Sequence, residues 1–441
     1  MDLGSRVVSR PPGPPLRKPR LSPVPSSEAR ARAIRRRRTV AAVVVVALIV
    51  IVVVAVQGSG GNGAQVPLGG PGRASVLTPD TGGRAGSADA QPRVARAAPF
   101  TPAPAALSVA ARLPLPSEVA QLFLIGLDGT SSSSPNVAAF ASIDWGGAVL
   151  GREDFISDSQ IGSLAGGIAA LARNAGNVAP LIAAPQEGGP ETAFPDLPPE
   201  GESAIGATGN TSLARSQAQL AGKQLRALGL NMTFAPLADV DVLGGALSGR
   251  LFSSSPGAVA RFASAAVGGY AAAGMIAAAG HFPGAGAASA DPDEMTATVG
   301  GSLSSLEQRD LVPFAAIVPS APVIMMSNAA YAAFDGVTPA GLLPQAVRLL
   351  RDHYGFQGVV MTDDLDAALL ATGGTAGQAA VSAIEAGDDL LYITGSPAEQ
   401  LSAYHAVLSA AQSGRISRAQ IREALLRVLS LKARYGLLAG Y

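Results

Sequence analysis

The sequence predicts an α/β chain: a (β/α)8 TIM-like barrel over residues 113–441, preceded by one transmembrane helix and a disordered linker. Three observations lead there. Short apolar runs alternate with Ala-rich stretches of helical period through 113–441, the pattern of a parallel sheet wrapped by helices. The length of that region sits inside the normal range for one such barrel. Two of the apolar runs, in GHFPGAG (280–286) and GVVMTDDLD (358–366), stop abruptly at polar and small residues. A buried strand reads this way where it emerges at a barrel mouth, and chemistry usually sits at such strand ends.

Residues 1–38 form a Pro/Arg-rich basic tail with 11 Lys+Arg against 2 Asp+Glu, which leaves 21 against 30 for the remainder. A formal net charge of zero therefore hides two oppositely charged parts. Thr39 to Val56 is a Val-dominated run of eighteen residues without a charge. At about 1.5 Å per residue it spans roughly 27 Å, close to the hydrocarbon thickness of a bilayer. The Arg block before it predicts a cytoplasmic N-terminus, with everything after the span outside. Nucleic-acid binding by the tail is the other use of that charge, but anchoring explains it without further assumptions. A cleaved signal peptide competes with the anchor, because Val53 and Ala55 are small residues at plausible cleavage positions.

From 57 to 112 the chain is rich in Gly, Ala and Pro with no sustained period, so a disordered tether with a reach of roughly 40 Å is expected. Within the barrel region a helix is predicted at about 212–228, where Ala214, Ala218, Ala221, Leu225 and Leu228 share one face and Gly229 stops it. The last helix is expected to open on a Ser417/Gln420 capping box and to close at Gly436. Val359, Val360 and Met361 read as a strand buried on both faces that delivers Asp363 and Asp364 to its end. Either carboxylate could be a nucleophile, or one could cap the next helix while the other is solvated. The chain has no Cys, which excludes thiolate chemistry and a disulfide framework. No metal-ligand spacing and no glycine-rich phosphate cradle is present, so no cofactor is expected. His353 and His405 read as helix-surface residues.

Seven segments in order and register carry a family resemblance: LPSEVAQLFLIGLDG (115–129), WGGAVL (145–150), PLIAAPQEGG (180–189), LRALGLNMTFAPLADVDV (225–242), SGRLF (248–252) and the two above. Together with ISRAQIREALLRVLSLKARYGL (416–437) they resemble glycoside hydrolase family 3, in particular its single-domain β-N-acetylglucosaminidase branch. The resemblance implies a barrel, a carbohydrate substrate and a retaining mechanism. It places the nucleophile on Asp363 and the sugar-binding residues on Arg250 and His281. Several positions depart from the family pattern. Gly280 replaces a Lys, Ala285 and Ala287 interrupt Gly-His-Gly-Asp, and Pro185, Pro190 and Ala193 replace an Asp and two Arg. The catalytic loop keeps its helper as Asp291 but carries Asp293 where the family has the acid/base His.

A retaining glycosidase needs two groups about 5–5.5 Å apart. Asp363 suits the nucleophile, and Asp293 is the expected acid/base with Glu294 as the other candidate. A lone Asp with a pKa near 4 is a poor general acid at neutral pH, so crowding by Asp291 and Glu294, or burial, is expected to raise it. The three acidic residues could equally form a solvated loop. Arg250 could instead salt-bridge Asp239 or Asp241, and His281 could be a core imidazole satisfied by backbone. Two functions follow: a membrane-anchored, extracytoplasmic β-glycosidase acting on cell-wall or related glycans, or a degenerate barrel that binds a glycan or protein without turnover.

Overall fold

The computed structural model describes residues 99–440. Eight parallel strands close into a barrel: β1 (Phe123–Gly126), β2 (Gly147–Val149), β3 (Leu181–Ala184), β4 (Met232–Thr233), β5 (Ile276–Phe282), β6 (Val323–Met326), β7 (Val359–Asp364) and β8 (Leu390–Ile393). Each strand pairs with its predecessor, and β8 returns to β1 through Phe123↔Leu391 and its two successors. This is the predicted architecture. The strands read as unbroken apolar runs because helices cover one face and the barrel interior the other; every residue of β5 and β6 is buried.

Close strand approach fixes some residues. A Cβ at Gly147 would lie 2.3 Å from the Leu181 carbonyl oxygen across the β2–β3 ladder, so any side chain there would force the strands apart.

The outer helices include α1 (Asp158–Asn174), α2 (Thr211–Ala227), α3 (Pro256–Ala272), α4 (Leu311–Ile317), α5 (Leu365–Thr372), α6 (Ala376–Ala386), α7 (Pro397–Gln412) and α8 (Arg418–Arg434). The predicted stripe on α2 is its buried face: Ala214, Ala218, Ala221 and Leu225 are buried, with Gly229 beyond the end at φ +86. Small residues let α2 and α3 approach until a Cβ at Gly269 would lie 2.3 Å from the Arg215 carbonyl oxygen. At α8 the Ser417 hydroxyl accepts from Gln420 N–H as expected, but the Gln420 side chain donates to the Ile384 carbonyl at 2.6 Å. Only half of the predicted capping box forms, because the longer-range acceptor on α6 takes the amide.

The linker prediction needs a boundary correction. Pro104–Ala110 is a helix with Ala106, Val109 and Ala110 buried. It is held to α8 by Ala103 N–H donating to Ser430 Oγ at 3.0 Å, by Arg422 donating to the Ala110 carbonyl, and by Arg427 stacked 4.3 Å over the Phe100 ring. The folded domain thus begins before Leu113, because the Gly/Ala/Pro composition that suggests a tether also contains an apolar edge that α8 covers. The tail, the candidate span at 39–56 and the linker up to 98 lie outside the described residues. Among the described residues no helix is long and apolar enough to cross a membrane.

The amino ends of β1 and β2 are covered by the outer helices α7 and α8. Phe123, Trp145 and Tyr404 pack edge to face with centroids 5.5–6.3 Å apart, a favourable aromatic arrangement. Lys432 of α8 is fully buried there and donates to Gln121 Oε1 at 2.6 Å. Burial pulls its ammonium down to about 7, with Asp144 working the other way.

Candidate active site

The carboxyl ends of the strands surround a cavity of about 210 Å3 lined by Pro185, Glu187, Phe234, Leu237, Ala278, Gly280, His281, Asp293, Met325, Asp363, Asp364, Ala367 and Tyr392. Such a site at the C-terminal mouth is where a (β/α)8 barrel does its chemistry.

Asp363 arrives at the end of β7, where the strand pairs with β6 through Val359–Met361 and then shifts register against β8 before Asp364. It is 6% exposed, and its Oδ1 accepts from the Asp364 N–H at 2.8 Å. Burial and then the Asp293 charge push its carboxyl well above the usual range, while His281 and the Asp364 N–H act in the opposite direction. Asp364 does cap the next helix, as one sequence reading held. It accepts from Asp366 N–H at 3.1 Å, from Thr394 N–H at 3.0 Å and from the Thr394 hydroxyl. Burial lifts it to about 6 against those donors.

His281 sits near the end of β5 and is held by a carboxylate, so the reading of a backbone-satisfied core imidazole is corrected. Asp239, fully buried on the segment after β4, meets His281 Nδ1 at 2.9 Å and also accepts from His281 N–H at 3.1 Å and Ala285 N–H at 2.6 Å. Burial opposes the cation, but Asp239 beside it, with Asp363 and Asp293 farther off, outweighs burial and lifts the imidazole to about 10. A histidinium therefore faces the cavity at neutral pH.

Arg250 pairs with neither Asp239 nor Asp241. Its Nη2 donates to both oxygens of Glu187 at 3.0 Å and its Nη1 to Asp291 at 3.1 Å. It stands behind the cavity wall. Asp291 in turn accepts from the Asp293 N–H at 3.1 Å, so Arg250 fixes the loop that presents Asp293 and the carboxylate of Glu187 together. Asp293 is exposed to the cavity, whereas Glu294 is exposed without lining it. The acidic loop is therefore not simply solvated: one of its members faces Asp363.

Sequence reasoning passed over Glu187, Asp239 and Tyr392 as site residues. Glu187 follows β3 in a short hairpin, Gln186–Gly188 against Glu191–Thr192. Fully buried Gln186 pins that hairpin by donating to the Phe194, Leu197 and Pro198 carbonyls at 3.1–3.3 Å. The signal was a polar QE pair directly at a strand end. Glu202 braces the cavity segment after β4, accepting from Leu237 N–H at 2.9 Å. Burial holds its carboxyl well above the usual range, against the Leu237 N–H. Among the described residues no group of His, Cys, Asp and Glu is placed to hold a metal ion.

The pattern that defines the glycosyl hydrolase family 3 N-terminal domain matches residues 115–431. The chain belongs to this family. A beta-hexosaminidase of Stenotrophomonas maltophilia (strain K279a) is 34% identical over 284 residues, covering 62% of this chain and 83% of the relative. One of Xylella fastidiosa (strain M23) is 36% identical over 267 residues, covering 58% and 78%. Among solved structures, a family 3 β-N-acetylglucosaminidase from Paenibacillus sp. str. FPU-7 superposes with TM-score 0.70 at 33% identity, over 75% of this chain and 64% of that one. A β-N-acetylhexosaminidase from Beutenbergia cavernae gives 0.66 at 28%, over 73% and 99%. This family 3 chain is a glycoside hydrolase acting on O-glycosyl bonds, and the non-catalytic binding-module reading is not favoured.

Proposed function

We propose that the chain is a retaining β-hexosaminidase-like glycosidase, carried outside the cytoplasmic membrane on the 39–56 span and acting on amino-sugar glycans of the cell wall or related polymers. The observation that carries the mechanism is the pair of carboxyl groups, Asp363 on a rigid strand end and Asp293 on the Arg250-held loop, lining one cavity, where burial and then the Asp293 charge raise Asp363. A nucleophile and a proton donor on one cleft are what the retaining mechanism requires.

In the productive form the proton is on Asp293. Asp363 Oδ attacks the anomeric carbon while the bond to the leaving oxygen breaks and that oxygen takes the Asp293 proton. A covalent glycosyl ester forms. Water, giving its proton back to Asp293, then attacks the same carbon and releases Asp363, with net retention of configuration. The His281 cation favours the Asp363 anion at the start and at release. Arg250 and Asp291 act as positioning residues. The lipid-proximal location rests on the Val-rich run and the Arg block.

The test is Asp363→Asn, which should abolish turnover while leaving Tm nearly unchanged, because the native carboxyl already resists ionisation in its site. Activity surviving in that variant would falsify the assignment. Protease added to intact spheroplasts should remove the barrel; a barrel protected until lysis would refute the location.

A further inference from the structure

We propose that the cavity prefers a glycoside whose sugar carries a free ammonium, of the 2-amino-2-deoxyhexoside class, over the N-acetylated counterpart. The inference rests on the glycosidase reading and names the substrate class of the same site.

Hydrogen-bonding capacity points this way first. Of the cavity-lining side chains, the polar ones are Glu187, Asp293, Asp363, Asp364, His281 and Tyr392. Four are carboxyls; Asp293 spends its proton on the leaving oxygen and the others, when ionised, only accept, so donation to the rest of the sugar falls to His281 and the Tyr392 hydroxyl. An acetamido carbonyl needs donors, whereas an ammonium needs acceptors. At Gly280 the wall is bare backbone, and the nearest side chain, Met325, lies 3.4 Å from where a Cβ would sit. No further donor enters there.

Charge points the same way. His281 is matched by Asp239, and Arg250 lies behind the wall with its charge committed to Glu187 and Asp291. His281 is thus neutralised from behind, Arg250 sets one positive charge against the two negative charges of Glu187 and Asp291, and the Asp363 carboxylate stands in front, so the balance of the site favours a cation. Glu187 is the specificity residue: both its oxygens take one hydrogen bond from Arg250 Nη2, and each keeps a second lone-pair site for a ligand N–H. Phe234, Leu237, Ala278 and Met325 supply the apolar wall for a sugar face.

The experiment compares kcat/KM of the wild-type chain at pH 6 for the 4-nitrophenyl β-glycosides of glucosamine, N-acetylglucosamine and glucose. The amine should lead the N-acetyl substrate by about tenfold or more, and its lead should shrink about threefold between 50 and 500 mM NaCl as the charges are screened. Raising the pH to 9, above the ordinary range of such an amine, should remove most of the lead. Glu187→Gln should lower the ratio by raising KM for the amine, and the wild-type salt and pH profiles read the same effect without a variant. If the N-acetyl or neutral glycoside is cleaved as well or better at every salt concentration, the inference is wrong while the glycosidase reading stands. If no glycoside is cleaved and a fluorosugar leaves Asp363 unlabelled, both fall.

Discussion

Replacing Asp239 with Asn tests the electrostatics of the site at its most buried pair. In the native chain His281 is lifted from an ordinary 6.5 to about 10, a preference for the cation of roughly 5 kcal/mol at 1.36 kcal/mol per decade. Because the folded value lies above the unfolded one, this stability is fully present below pH 6.5 and is lost as pH rises through 10. In Asp239→Asn the nearest counter-charge is gone and only the more distant Asp363 and Asp293 oppose burial, so His281 should titrate far below its native value. Breaking a buried pair costs about 3–5 kcal/mol, and that cost should appear at pH 6. At pH 10 the loss should shrink to roughly 1–2 kcal/mol, for weakened hydrogen bonds to the His281 and Ala285 amides. The assay is urea unfolding at pH 6, 8 and 10, together with imidazole 15N spectra. The chain has three histidines and the other two, His353 and His405, are exposed, so His281 is readily assigned. A native His281 titrating near 6.5, or an equal loss at all three pH values, would refute the reasoning.

Asp293→Ala should slow glycosides with poor leaving groups far more than activated aryl glycosides, and azide should partly restore the second step; unaltered rates would remove Asp293 from the mechanism. The Asp293 carboxylate also repels an anionic acceptor, by a few kcal/mol at an effective dielectric near 20, so hydrolysis and not phosphorolysis is expected, checked by product analysis in phosphate buffer. Lys432 has the opposite linkage to His281: its folded value of about 7 lies below the ordinary 10.5, so its charging penalty is present below pH 7 and disappears by pH 10.5. Lys432→Met should therefore raise stability at pH 6, by at most roughly 5 kcal/mol less the lost Gln121 bond, with the gain fading toward pH 10. A chain starting at Leu113 should be less stable than one starting at Pro99 by roughly 3 kcal/mol, the burial of Ala106, Val109 and Ala110 on α8; equal denaturation midpoints would show that this helix adds nothing.

Local signals made the barrel legible. Strand runs such as Val359–Met361 and the α2 stripe report burial through composition and period, and both fall where expected. The placement of Asp363 at a strand end followed from the same logic. Partners that depend on distant loops were not legible. Arg250 could reach several acids from its loop, and only the folded positions of the hairpin after β3 and the loop after β5 choose Glu187 and Asp291. Lys432 lies in an otherwise ordinary amphipathic helix, and nothing local signals that its ammonium ends beneath the barrel against Gln121. The helix at Pro104–Ala110 was hidden for a similar reason, since the surface that holds it is α8, far along the chain.

The central claim is that Asp363 forms a covalent bond to the sugar. Intact-mass analysis after incubation with a mechanism-based fluorosugar of the glucosamine and N-acetylglucosamine series, followed by peptide mapping, measures this directly. One glycosyl adduct per chain is predicted, on the peptide containing Asp363, absent in Asp363→Asn and longer-lived in Asp293→Ala. Turnover of substrate with no adduct, or an adduct on another carboxylate, would contradict it.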